Sequence, residues 1–212
     1  YAIMIDEDCC RLDEAALLVH EINLGATAIG TGLNAPVGYT ASAVEHLRRK
    51  TGLPLVSATD LIEATQDVGQ FVHLSGVLKR VAVKLSKICN DLRLLSSGPR
   101  AGLNEINLPA VQAGSSIMPG KVNPVIPEAM NQTAYQVIAS DLAVTLAAEA
   151  GQLQLNAMEP MIIYNLLNSL KMLKEACDML EHRCIRGIKA NELACAAHVE
   201  NSIGIITALV PH

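Results

Sequence analysis

Aromatic residues are nearly missing from this chain. Tryptophan is absent and phenylalanine and tyrosine together supply five of 212 residues, so leucine, isoleucine, valine and alanine must build the core. Charge is sparse as well, at 17% of residues. The net charge is -5 and no basic stripe is visible, which argues against nucleic-acid binding. No uninterrupted apolar run reaches membrane-spanning length, although half the residues are hydrophobic. That excess predicts surface buried against other chains rather than in lipid. The six cysteines (Cys9, Cys10, Cys89, Cys177, Cys184 and Cys195) form no C-x-x-C pair and no zinc-like cluster. They read as reduced thiols of a cytoplasmic protein, with Cys89, Cys177 and Cys184 on apolar helical stripes. No metal or cofactor is expected. The chain opens without an initiator methionine, already in a helical pattern, and stops abruptly at Pro211-His212. Both ends read as cuts.

No strand period appears, and helical periodicity fills the space. Residues 1–24 read as a helix, 25–39 as a glycine-rich loop, and 41–51 as a short helix. Leu61, Ala64, Val68, Phe71, Ser75, Leu78, Ala82, Leu85, Cys89 and Leu92 step by three and four. This predicts one long seam over 60–97, roughly 55 Å of helix. Further helices are expected from Pro127 to about Ala150, buried on most sides, from about Asn156 to Cys184, and from Asn191 onward. The fold class is all-α: a bundle of long antiparallel helices.

Several motifs are decoys. Gly30-Thr31-Gly32-Leu33-Asn34-Ala35 matches a dinucleotide-binding pattern, but a helix precedes it and Pro36 follows, so it reads as punctuation. The histidines make no H-x3-H pair. Glu149, Gln152, Gln154, Asn156 and Glu159 form a polar cluster that serves either as a capped turn or as a buried network between subunits.

The chemistry concentrates in Gly114-Ser115-Ser116-Ile117-Met118-Pro119-Gly120-Lys121-Val122-Asn123-Pro124. It lies in a connection of 27 residues, 98–124, and a loop that long between helices is usually functional. It carries two hydroxyls, two glycines, one cation and one carboxamide. Lys121 supplies the local cation that a small anionic substrate needs.

This phrase resembles the signature loop of the aspartase/fumarase superfamily. The resemblance extends to Ser96–Leu103, to Gly30–Asn34, and to Asn201-Ser202 with Thr207-Ala208-Leu209, so it spans nearly the whole chain. Within the superfamily, Glu149–Pro160 is similar to the aspartase branch. Met158-Glu159-Pro160 stands where class II fumarases carry Phe-Lys-Pro. Residues 88–95 and 124–128 also look aspartase-like.

The resemblance implies conversion of L-aspartate to fumarate and ammonia through an aci-carboxylate. Ser115 corresponds to the general base, Lys121 and Asn123 to groups that bind substrate carboxylate, and Gly114 and Gly120 to hinges that let the loop close. It implies a homotetramer whose active sites draw on three subunits, with this chain supplying only the mobile loop. Residues 1–187 would be the central bundle lacking its first helix, 188–212 the start of a small C-terminal domain, and the N-terminal domain would be absent. A chain so truncated should lack a complete site alone and should self-associate through the seams at 61–92 and 163–184. Two alternatives stay open: a class II fumarase or another fumarate-releasing lyase, and a non-catalytic helical scaffold such as the lens crystallins related to this superfamily.

Overall fold

A computed structural model describes residues 1–114, 117, 118 and 120–209. Among them are six α-helices: α1 (Ala2–Leu18), α2 (Tyr39–Thr51), α3 (Gly69–Leu95), α4 (Val125–Glu149), α5 (Glu159–Arg183) and α6 (Glu192–Glu200). Four two-residue strands accompany them: β1 (Glu21–Ile22) pairs in parallel with β2 (Val56–Ser57), and β3 (Ile106–Asn107) pairs antiparallel with β4 (Lys189–Ala190). The all-α expectation holds, since these strands only pin connections. No described helix is long and apolar enough to cross a membrane.

The chain divides into two compact units, Tyr1–Lys84 with Tyr135–Met172, and Leu85–Ala134 with Leu173–His212. In the first, α1 runs antiparallel to α3. Lys84 Nζ donates to Met4 O at 3.2 Å, and Asp8 Oδ1 accepts from Arg80 Nε at 2.9 Å and from Lys84 Nζ at 2.8 Å. Asp8 is only 2% exposed, and its Oδ2 has no partner among the described residues. Glu7, more exposed, is held below the usual carboxylate range, first by its hydrogen bond from Lys84 and then by the one from Arg80. A second buried carboxylate, Asp141 on α4, takes Ser75 Oγ at 2.8 Å and Lys79 Nζ at 2.5 Å. Buried carboxylates demand such partners, because an ion out of water without them costs several kcal/mol.

Two element boundaries differ from the sequence expectation, each for a local reason. α1 stops at Leu18, not near residue 24, because the chain is captured by β2: Val56 N donates to His20 O and Ala58 N to Ile22 O, both at 3.0 Å. α3 begins at Gly69, not Asp60, and its 27 residues span about 40 Å. Two carboxylates break the apparent continuity. Asp60 Oδ1 accepts from Ile62 N at 2.8 Å and Glu63 N at 3.1 Å, starting a separate single turn at Glu63–Thr65, and Asp67 Oδ2 accepts from Gly69 N. Within α3 the predicted seam is correct: Ser75, Leu78, Ala82, Leu85, Cys89 and Leu92 are all buried.

α4 is not buried on most sides. Met130, Ala134, Val137, Asp141 and Val144 face inward, while Tyr135, Leu142 and Leu146 are exposed. On α5 the buried line is Ile162, Leu166, Ser169, Leu173, Ala176 and Leu180, and Ile163 and Leu170 of the predicted seam are exposed with Tyr164 and Leu167. Each helix therefore carries two apolar stripes, of which this chain covers one. The seams at 61–92 and 163–184 are largely occupied inside the chain. The polar cluster after α4 is a capped turn around Asn156. Its Nδ2 donates to Ala147 O at 3.1 Å and Ala148 O at 3.2 Å, and its Oδ1 accepts from Met158 N at 2.8 Å.

Candidate functional site

The connection between α3 and α4 belongs wholly to the second unit. It is tied down before the loop begins. Ser97 Oγ donates to Leu94 O and accepts from Leu103 N at 3.1 Å, while Asn104 N returns to Ser97 O at 2.7 Å. Gly102 lies against the Ser97 backbone, where a Cβ would meet the carbonyl carbon at 2.4 Å. Glu105 N donates to Leu95 O at 2.9 Å, and Glu105 O accepts from Asn191 N at 2.8 Å. His198 Nδ1 meets Glu105 Oε1 at 3.0 Å, so this histidine serves the scaffold.

The loop itself doubles back. A Cβ on Gly114 would stand 1.7 Å from Lys121 O, so the two backbones pass in direct contact. Only glycine fits there, and the reason is space. Gly120 differs: a Cβ would meet nothing within 4 Å, but its φ of +80° lies in the left-handed region that favours glycine. Lys121 N donates to Met118 O at 3.3 Å, and Val125 N returns to Asn123 O at 2.9 Å to begin α4. Lys121 is exposed and Asn123 half-buried. Neither side chain has an ion-pair or hydrogen-bond partner among the described residues. Ser115, with Ser116 and Pro119, lies outside the described residues.

Thus Gly114, Lys121 and Asn123 are brought together on one short piece of chain, and Gly120 supplies the turn ahead of Lys121. An unpaired ammonium two residues from an unpaired carboxamide suits a carboxylate: Lys brings charge and Asn a directional donor. Asn123 sits among Leu108, Pro109, Val111, Pro124–Pro127, Arg183 and Cys184, which leave no room for a water molecule between them. Sequence reasoning missed the buried Asn131. Asn131 donates from Nδ2 to Ser86 Oγ at 2.8 Å and to Ser86 O at 3.0 Å, fixing α4 to α3 just beyond the loop. The signal for Asn131 was present, as a carboxamide on the apolar face of a helix.

The other sequence features fall elsewhere. The Gly30–Ala35 segment follows a single helical turn, Ala28–Gly30, with no strand feeding it. Gly30 is needed for close approach, since its Cβ would lie 2.2 Å from Leu61 O. None of the six cysteines forms a disulfide among the described residues. Cys89 is pushed up to about 12, by burial first and then by the neighbouring Cys184 thiol, so it stays a protonated, inert core residue. A cavity of about 570 Å³ lies in the first unit and is bordered by Glu21, Glu63, Asp67, His73 and Glu159. It holds none of the expected site residues. Among the described residues no group of three His, Cys, Asp or Glu side chains is placed to hold a metal ion.

Comparison with known proteins places the chain among lyases. A family described as lyase matches residues 1–139. An aspartate ammonia-lyase from Pseudomonas fluorescens is 63% identical over 213 residues, covering 100% of this chain and 45% of that protein. Among solved structures, the fumarate lyase:delta crystallin of Brucella melitensis, bound to cobalt, superposes with a TM-score of 0.97 at 58% identity, over 99% of this chain and 46% of that one. The class II fumarase of Schistosoma mansoni superposes with a TM-score of 0.92 at 30% identity, over 100% and 47%. The chain spans less than half the length of the curated relatives it matches.

Proposed function

Because this chain belongs to the lyase family, we propose that it is the central portion of an aspartate ammonia-lyase, which converts L-aspartate to fumarate and ammonia. The observation that carries this reading is 63% identity, over the whole chain, to a protein of that name. The half-identical distance to a class II fumarase, at 30%, favours the amine over the hydroxyl as leaving group.

In this reading Ser115 is the base. It takes a proton from the carbon next to one substrate carboxylate, and the electron pair moves into that carboxylate as an aci-carboxylate. The pair then returns to form the double bond, the carbon–nitrogen bond breaks, and ammonia leaves. A serine does this only as its oxyanion, which backbone N–H groups and nearby cations must stabilise. Lys121 and Asn123 hold a substrate carboxylate. Lys121, exposed and unpaired among the described residues, supports that role. Gly114 and Gly120 let the loop close and exclude water.

Residues 1–187 are then the central bundle lacking its first helix, and 188–212 begin a small C-terminal domain. The rest of the site comes from segments that this chain does not carry, so the chain alone turns nothing over. The exposed stripes of α4 (Tyr135, Leu142, Leu146) and α5 (Ile163, Tyr164, Leu167) support assembly into a homotetramer. The reduced cysteines support a cytoplasmic setting. The test is fumarate formation by the full-length enzyme from L-aspartate and from malate. Turnover of aspartate alone is expected; turnover of malate alone would replace this reading with a fumarase.

A further inference from the structure

Glu105, in the connection between α3 and α4, engages its N–H, its C=O and its carboxylate with neighbouring elements. Its N donates to Leu95 O at the end of α3, at 2.9 Å. Its O accepts from Asn191 N at 2.8 Å, just ahead of α6, and from Cys195 Sγ on α6 at 3.5 Å. Its Oε1 meets His198 Nδ1 at 3.0 Å, one turn further along α6. A carboxylate only accepts, so Nδ1 carries the proton of that bond. Beside it, Asn104 O accepts from Asn191 Nδ2 at 3.0 Å, and Ile106 and Asn107 pair with Ala190 and Lys189. A two-residue strand does not hold itself. A helix of nine residues such as α6 is too short to be stable alone. Each therefore depends on the other.

This joint reaches the candidate site. Just beyond the strand, Leu108 and Pro109 pack with Asn123 and Pro124–Pro127 so closely that no water fits between them. On its other side Pro109 meets Gly187, where a Cβ would stand 2.5 Å from Pro109 Cγ. The limb at 104–109 is thus wedged between the 187–198 segment and the residues that carry Asn123, all within one unit. Close-packed atoms transmit displacement, so a shift at Glu105 becomes a shift at Asn123. From this we infer that His198 and Asn191 are positioning residues for the lyase reaction. Through Glu105 and Asn104 they hold the first limb of the loop, and with it the Asn123 carboxamide, in the register that receives a substrate carboxylate. A loosened limb populates that receptive arrangement for less of the time, and KM rises as the competent fraction falls. Bound substrate restores the arrangement, so kcat changes little.

The inference rests on the role proposed for Asn123, and its test uses the full-length enzyme. The variants are His198→Ala, His198→Asn, Asn191→Ala and Asn123→Ala, with kcat and KM for L-aspartate, the thermal midpoint and amide hydrogen exchange measured for each. His198→Ala is expected to raise KM about fivefold, the effect of one hydrogen bond of ordinary strength, with kcat nearly unchanged. Its thermal midpoint should stay put, since His198 is exposed. Amides at 104–109 should exchange faster, and those of α4 at the wild-type rate. His198→Asn places its Nδ2 where the ring has Nδ1 and should return KM close to wild type. Asn191→Ala removes the bond to Asn104 O and should raise KM by a similar factor. Unchanged KM in both His198→Ala and Asn191→Ala would overturn the inference. So would a fall in kcat at constant KM, or a His198→Asn variant no better than His198→Ala. If Asn123→Ala leaves KM unchanged, the carboxylate-binding role of Asn123 fails, and the inference fails with it. If the wild-type enzyme turns over malate and not L-aspartate, the functional reading fails, and the same KM comparison made on malate still decides this inference.

Discussion

Replacing Gly114 by alanine perturbs the loop at the one point where its two limbs touch. The added methyl would sit 1.7 Å from Lys121 O and 2.7 Å from Lys121 C, where real contacts do not fall below 3.0 Å. The gap between 1.7 and 3.0 Å means that the two backbones must part by at least 1.3 Å. That displacement acts directly on Lys121 and, two residues on, on Asn123. Misplacing a substrate-positioning group by about 1 Å costs on the order of 100-fold in rate, so kcat/KM for L-aspartate in the full-length enzyme should fall by about that much. The global thermal midpoint should move little, because Gly114 and Lys121 lie outside the helices and Lys121 is exposed. Gly120→Ala is the matched control. Nothing crowds its Cβ, and only the left-handed φ of +80° opposes it, at about 1–2 kcal/mol. It should therefore be the milder change in kinetics. A Gly114→Ala enzyme within about threefold of wild type would refute the reasoning that this contact sets the carboxylate-binding groups.

Other expected outcomes follow from packing and titration. Met130 is 0% exposed, and Met130→Ala should destabilise by about 2–5 kcal/mol in denaturant titration. Asp141→Leu strands the buried Ser75 hydroxyl and should cost about 1–3 kcal/mol. Lys79→Met, whose side chain is 45% exposed, should cost about 1 kcal/mol or less, and the reverse order would discredit the account of that cluster. The exposed Cys9 and Cys10 should react quickly with a thiol reagent, and the buried Cys89 and Cys184 only on unfolding. Because burial raises the Cys89 thiol from 9.0 to about 12, the unfolded chain releases that proton first. Stability contributed by the neutral thiol is complete below about pH 9 and falls as pH rises toward 12, which a Cys89→Ala variant should blunt.

Much of the fold was legible in the residues because helical burial is periodic and local. The line from Ser75 to Leu92 could be read directly, and so could the small side chains at Ser75, Ala82 and Cys89. What failed was decided by single side chains. Asp60 and Asp67 each cap a new turn, and no average over an apolar pattern reveals that. The choice between Ile162 and Ile163 as the inward face of α5 depends on its neighbours, because both stripes are apolar. The paucity of charge on α4 was read as complete burial, but the face holding Tyr135, Leu142 and Leu146 is uncovered in this chain. The loop residues Gly114, Lys121 and Asn123 stood out since their chemistry sits within one short segment.

The central claim is that Ser115 is the base that starts elimination. It is tested most directly by turnover of L-aspartate to fumarate in the full-length enzyme carrying Ser115→Ala, with folding checked by circular dichroism. The account predicts a fold-preserving loss of kcat on the order of 10²–10⁴. A correctly folded variant that turns over at the wild-type rate would contradict it.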